Sequence, residues 1–322
     1  MAEPESDEKR ARAALRAAQM YYMQDLTMEA IARDLAMSRS SVSRLLAYAR
    51  ETGLVEITVS SPLAHGAGLE RKILERFGVT AHVVPMPPGV TDIDRLDRVA
   101  MTGARMLSSW MDSNMTLGIA WGSTISALSR HLVRKETHNS TIVQMNGAGN
   151  TRTTGIDYAS EIMQRFGAAF SAQIQQLAVP AIFDDPAVKL GLWKERSVHR
   201  VLEIQARMDI ALFGLGSPFA EIPSHVYIGG YLDAADYKSL SEQRVVGDLA
   251  TVFFRRDGSS HDVDLNKRAS GPDLHRLRRV PRRVCIVSGV QKLASLQGAL
   301  AAGLVTDLVI DESLATRLLE TP

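Results

Sequence analysis

From about residue 69 to the end of the chain, short Val/Ile/Leu-rich runs alternate with amphipathic segments of helical length. GLERKILERFG has helical spacing and precedes the strand-like VTAHVVP. DIDRLDRVAMTGARMLSSWM predicts a long helix ahead of the strand MTLGIAW, and Gly122–Val133 a helix ahead of TIVQMNG. Tyr158–Phe166 reads as a helix before the strand SAQIQQLAVP, and one helical stretch covers Pro186–Arg207 before DIALFGLG. LATVFF, RRVCIVSG and TDLVIDE read as further strands, with helices over Gln291–Ala302 and Ser313–Leu319. This order predicts an open, mainly parallel α/β sheet.

The first sixty residues are built differently. Thr27 is placed to cap a helix whose Met28, Ile31 and Leu35 share one face. Ala36-Met37 forms a joint, and Ser38 caps a second helix with Val42, Leu45, Leu46 and Ala49 facing inward. Arg39, Ser40, Ser41, Ser43 and Arg44 then face away from the core near the helix N-terminus. Short polar groups and arginines placed there suit a major groove. Gly53 fits the helix C-terminus, and LVEITV alternates as a strand or wing. The expectation is a winged helix-turn-helix domain over residues 1–59. Its DNA-binding residues are Thr27, Ser38, Arg39, Ser40, Ser41, Ser43 and Arg44. A solvated helical hairpin has the same amphipathic pattern. The element lengths, the following strand, and a second helix with Arg39, Arg44 and Arg50 but no acid from Ser38 to Arg50 favour DNA. Before them, Lys9–Gln24 is Ala-rich and helical. Leu15, Met20, Tyr22 and Met23 are expected to cover the helix pair, with Arg10, Arg12 and Arg16 either near phosphates or solvated. SSPLAHGAG, residues 60–68, reads as the linker to a second domain over 69–322.

Charge limits how DNA is held. The net charge is +1, and residues 1–60 carry eight Lys/Arg against nine Asp/Glu. Binding must therefore come from a local recognition surface, repeated in a homodimer or homotetramer, rather than from bulk attraction. The single cysteine, Cys285, excludes an internal disulfide framework and a cysteine zinc cluster. The histidines show no metal spacing, no nucleophile elbow is present, and no cofactor motif appears. HRLRRVPRRV, the densest basic run, reads as a solvated loop. A polar, acidic N-terminus and the lack of an 18-residue apolar run predict a cytoplasmic protein with no membrane span.

In open α/β sheets, ligands collect at the C-terminal ends of strands. Four such places stand out: LGIAWGST with Gly122, Ser123 and Thr124; NGAGNTRTTG and the start of the next helix, with Asn146, Gly147, Asn150, Arg152 and Asp157; GLGS at Gly214–Ser217; and SGVQK with Lys292. The glycines of the second place lack the spacing of a dinucleotide fingerprint. A lysine in the first turn of a helix opposes the helix dipole and is explained by an anion it holds.

These segments resemble one family. SRSSVSRLL resembles the recognition helix of the SorC/DeoR-type sugar-binding transcriptional regulators. LGIAWGST, GDLATVFFRRDG, LNKRASGPDLHRL and the block SGVQKLASLQGALAAGLVTDLVIDESLATRLL are similar to that family across most of residues 60–320. The resemblance implies a Rossmann-like effector domain related to sugar-phosphate isomerases, and a sugar phosphate, sugar or polyol effector. It implies that Gly122, Ser123 and Thr124 hold phosphate, that Lys292 pairs with it, and that Asp248 and Arg268 line the sugar. The chain departs from the family after TIVQMNG, where NTRTTGIDY replaces the usual glutamine-asparagine pair. The expected function is a DNA-binding regulator of a carbohydrate or polyol operon, not an enzyme. The alternative is a sugar-phosphate isomerase with an appended helical domain, using Lys292 for a Schiff base or Asp248 for proton transfer.

Overall fold

The computed structural model describes residues 4–55, 66–218 and 224–321. The chain divides into two compact units, Met1–Ser61 and Pro62–Pro322.

The first unit holds α1 (Pro4–Tyr22), α2 (Met28–Asp34) and α3 (Arg39–Glu51). Thr27 Oγ1 accepts the Ala30 N–H at 3.3 Å, and Ser38 Oγ accepts the Ser41 N–H at 3.1 Å. Both caps satisfy donors that a helix start leaves free. Ala36, at the joint, takes a left-handed φ of 49°. Gly53 follows the end of α3 at φ 73°, which returns the Val55 N–H to the Ala49 carbonyl. The core is Ile31, Val42, Leu46 and Ala49 packed against Ala14, Ala17, Ala18 and Met20. Of the four residues expected to cover this core from α1, only Met20 does; Leu15, Tyr22 and Met23 are exposed. The alanine stripe lies on the buried face instead, and its small side chains let α1 approach closely. Residues 56–59 of the expected wing lie outside the described residues, as do 60–65 of the expected linker.

The second unit opens with α4 (Gly66–Phe77), so Gly66, Ala67 and Gly68 are helical and not linker. Glu70 Oε1 accepts the Val83 N–H at 2.9 Å, which ties this helix to the first strand. Then come β1 (Thr80–Val84), α5 (Asp92–Trp110), β2 (Thr116–Ile119), α6 (Ser123–Ser129), β3 (Thr141–Gln144), α7 (Ile156–Phe170) and β4 (Gln173–Gln175). The stretch expected as one helix over Pro186–Arg207 is two, α8 (Pro186–Leu192) and α9 (Arg196–Gln205). After β5 (Ile210–Gly214) follow α10 (His225–Ile228), α11 (Ala234–Glu242), β6 (Val245–Leu249) and β7 (Val252–Arg255). The chain ends with α12 (Leu274–Leu277), β8 (Arg282–Val287), α13 (Leu293–Ala301), β9 (Asp307–Asp311) and α14 (Glu312–Glu320).

LATVFF is not one strand. It turns at Ala250 and Thr251, both at positive φ (47° and 65°), and joins β6 to β7 as a separate antiparallel hairpin. A turn with two positive φ values normally signals itself by Asn-Gly. Here Asp248 supplies the support, its Oδ2 accepting the Thr251 N–H at 3.2 Å. The basic run 275–284 is also not simply solvated. Arg278 and Arg283 donate to the Ala302 and Val280 carbonyls, and Arg282 pairs with Asp307.

The main sheet has the order β1-β9-β8-β5-β2-β3-β4, and every pairing in it is parallel. Side chains alternate between two cores: Ile210 and Leu212 enter one, Ala211 and Phe213 the other. From β2 the chain runs to β3 and β4 in one direction; from β5 it runs to β8 and β9 in the other. The order therefore reverses between β2 and β5, and a crevice opens outside their C-terminal ends.

Candidate functional site

In the first unit, the N-terminal half of α3 presents Arg39, Ser40, Ser43 and Arg44 to solvent. Ser41 is half-buried, and its hydroxyl lies 2.8 Å from that of Ser38. Arg39 is held by Glu29 of α2 at 2.7 Å, and Arg44 lies along the helix toward Ser40 O and Ser41 Oγ. Thr27 and Ser38 are committed to capping. The face of α3 left exposed is Arg39, Ser40, Ser43 and Arg44. Arg16 pairs with Asp34, and Arg10 lies over the Tyr48 ring at 4.4 Å.

In the second unit, two adjoining cavities fill the switch-point crevice. One is lined by Ser123, Thr124, Gly289 and Lys292, together with Asp92 and Arg95. The other shares Ser123 and Thr124 and adds Trp121, Asn146, His225 and Asp248. Gly122 begins α6 at φ 144°, a conformation that L side chains rarely adopt, so the chain can turn from β2 into the helix.

Lys292 follows β8 across a short 3-10 turn. Its Nζ donates to Leu215 O at 2.7 Å and Ser224 Oγ at 2.9 Å. Burial lowers its pKa to about 8, opposed by the nearby Asp248 carboxylate. Asp248 is itself pushed up to about 6 by burial, with Lys292 acting the other way. Its Oδ1 makes no well-aligned hydrogen bond, although the buried Tyr227 hydroxyl lies near the carboxylate and is itself unpaired. A Cβ at Gly216 would stand 1.7 Å from Asp248 Oδ1, so only glycine leaves room for the carboxylate. Asn146 Oδ1 is likewise buried and unpartnered in the shared crevice. The crevice thus holds a cation and two acceptor oxygens that call for donors. A polyhydroxy compound with an anionic end supplies both needs.

Other expected effector residues lie elsewhere. Asn150, Arg152 and Arg268 line a separate open groove between α7 and α8. Asn150 Oδ1 accepts the N–H groups of Arg152 and Thr153, closing its own loop. Arg268 is paired with Asp236 and donates to Phe183 O. Asp248 and Arg268 therefore do not share a cavity. Asp157 is exposed in the first turn of α7. Gly147 is buried: its N–H donates to Ser270 Oγ at 2.9 Å, and its carbonyl accepts from Trp121 Nε1 at 2.7 Å.

Sequence reasoning missed an aromatic wall. Trp121 stacks on Tyr231 with centroids 5.0 Å apart, and His225 packs against Tyr158 at 4.7 Å. Burial holds the His225 pKa below its ordinary value, so it meets the cavity as a neutral imidazole near pH 7. The only available signal was the spacing of His225, Tyr227 and Tyr231, in a segment that matched neither a strand nor a motif.

The raised Asp248 pKa predicts a pH dependence. A carboxyl whose folded pKa exceeds its unfolded value favours folding below the unfolded value, about 4, and loses that contribution as pH rises through about 6. The stability of the wild type relative to Asp248→Asn should therefore fall by roughly 2 kcal/mol between pH 4 and pH 7. Urea melts of both proteins across that range measure it, and a flat difference would contradict the burial of an ionised Asp248.

A family model described as "Putative sugar-binding domain" matches residues 61–320. The chain is 31% identical to the deoxyribonucleoside regulator of Bacillus subtilis (strain 168) over 318 residues, 97% of this chain and 98% of that protein. It is 24% identical to the sorbitol operon regulator of Klebsiella pneumoniae, over 94% of this chain and 96% of the relative. Among solved structures, a domain of a "possible sugar-binding transcriptional regulator" from Arthrobacter aurescens TC1 is 54% identical. It covers 81% of this chain and 100% of its own length, with a TM-score of 0.76. The full-length sorbitol operon regulator of Klebsiella pneumoniae has the same fold, with a TM-score of 0.71 at 23% identity over 96% of this chain and 99% of its own.

Proposed function

Because the chain belongs to the SorC/DeoR-type family of sugar-binding transcriptional regulators, we propose that it reads an operator through α3 and answers to a phosphorylated sugar or polyol in the β2/β5 crevice. The observation that carries the effector reading is the half-buried Lys292 ammonium, which lines one cavity with Ser123 and Thr124, with the unpartnered oxygens of Asp248 and Asn146 in the adjoining part of the crevice. Lys292, Ser123, Thr124 and the Gly122 turn hold the anion. Asp248 and Asn146 accept from hydroxyls. Trp121 and His225 wall the carbon skeleton. A thermal-shift screen of sugars, polyols and their phosphates tests this. The phosphorylated compounds should give the large shifts, and shifts from free sugars alone would move the anion out of the account. The relatives named above are regulators, which leaves the isomerase alternative without support. The protein works where its operator is, in the cytoplasm.

Arg39 and Arg44 are five residues apart, about 140° around the helix. We assign one to a guanine edge and the other to a phosphate. Losing the base-reading arginine should cost about 1–3 kcal/mol of operator affinity and relax preference at one base pair. Electrophoretic mobility shifts with Arg39→Ala and Arg44→Ala measure this; if neither changes binding, α3 is not the reading helix.

One such head makes too few contacts for genome-level specificity, so the protein acts as a homodimer or homotetramer on repeated half-sites. Light scattering at micromolar concentration, with and without DNA, should give a mass of at least two chains. A monomer in both conditions would exclude this assembly.

A further inference from the structure

Asp92 and Arg95 sit in the first turn of α5, behind the Thr91 cap. They form an ion pair whose side chains are only 25% and 18% exposed. An ordinary pair three residues apart lies on the solvated face of a helix. This one instead lines the cavity that holds Ser123, Thr124 and Lys292. Arg95 Nε is buried with no hydrogen-bond partner. The Asp311 Oδ1 facing it is 3.9 Å away, too far for a hydrogen bond. Both Asp311 oxygens are already engaged. Oδ2 accepts the Gly289 N–H at 2.7 Å, and Oδ1 accepts the Leu314 N–H at 3.0 Å. Arg95 thus lines the cavity with a buried Nε that makes no hydrogen bond, and its closer counter-charge is a carboxylate from its own helix turn, with Asp311 farther off at 3.9 Å. The Asp92 carboxylate can be released at little cost, because an acid at a helix N-terminus is favoured by the helix dipole without any partner.

We propose that Arg95 is a second anion contact of the effector cavity, and that Asp92 occupies it in the ligand-free protein as an internal competitor which an entering phosphate displaces. This rests on the crevice being the effector site. Two cations from two elements, Lys292 and Arg95, line this one cavity, and a phosphate offers oxygens to both. The planar guanidinium fork also fits two oxygens of one phosphate.

Calorimetric titration of the full chain with inorganic phosphate, at low salt and pH 7.5, tests the proposal. Asp92→Asn removes the competitor and should tighten phosphate binding about fivefold. Arg95→Gln should weaken it about tenfold or more. The double variant should match Arg95→Gln alone, because Asp92 acts only through Arg95. Thermal melts of the same samples establish that each variant is folded. Should Arg95→Gln not fold, Arg95→Lys replaces it, and Asp92→Asn alone remains decisive. If Lys292→Met abolishes phosphate binding while Asp92→Asn leaves it unchanged, the competitor is overturned and the effector site stands. Tightening by Asp92→Asn that persists without Arg95 also overturns it. If neither the wild type nor Lys292→Met takes up phosphate, the effector reading and the competitor fall together.

Discussion

Lys292→Ala is expected to weaken the effector response strongly while the ligand-free protein still binds its operator. Lys292 is half-buried and anchored by Leu215 O and Ser224 Oγ, so its ammonium is held in place before a ligand arrives. Truncation removes a charge-assisted contact from a water-poor site, a loss of about 2–3 kcal/mol, or roughly 30- to 160-fold in effector affinity. Lys292→Arg should rescue only in part, since a planar fork does not replace a compact ammonium between a carbonyl and a hydroxyl. Operator affinity with and without effector, for wild type and both variants, is the measurement. Only a difference in effector affinity between two states of the protein can shift DNA binding. A full response in Lys292→Ala would point to a neutral sugar or polyol held mainly by the 146–157 loop.

Gly147→Ala should destabilise the whole effector unit rather than trim its ligand affinity. A Cβ there would lie 2.3 Å from Val179 O and 2.4 Å from Pro180 O, both backbone atoms that cannot swing aside. The Gly147 N–H and carbonyl are also bonded, to Ser270 and Trp121. Overpacking against fixed backbone costs about 1–3 kcal/mol or more. A urea melt should move by that amount, and by far more than Asp157→Ala moves it, since the Asp157 side chain is exposed. An unchanged midpoint with lost effector binding would return Gly147 to the ligand site.

The contrast between these two residues marks what could be read from the chain. Lys292 was legible because a cation in the first turn of a helix, just after a strand and a glycine, contradicts local electrostatics unless something offsets it. Gly147 looked the same as a ligand-approach glycine, because a sequence does not say which backbone lies opposite. Helices and strands of the parallel sheet were legible from period and length. The β6–β7 hairpin was not, because its turn at Ala250-Thr251 is supported by the neighbouring Asp248 carboxylate instead of by Asn-Gly. Arg268 was expected from the resemblance to line the sugar, yet Asp236, in the first turn of α11, pairs with it. Arg95 drew no notice, since an Asp and an Arg three apart are common on any helix. Only the fold turns that pair toward a cavity.

The pairing of β1 with β9 sets an order of assembly. The register matches Thr80 with Asp307, so among the described residues the first strand of the sheet finds its only neighbour near the end of the chain. Contacts so far apart in sequence form late. During synthesis, the first unit has all of its described core in place long before β9 leaves the ribosome, because that core comes from α1, α2 and α3 alone. A chain cut or stopped ahead of Asp307 would carry a finished head on a sheet with β1 and β8 unpaired along the edges that β9 joins. Open parallel edges of that kind recruit other chains. Truncation from the C-terminal side should therefore yield aggregation, and not a smaller regulator freed from its effector.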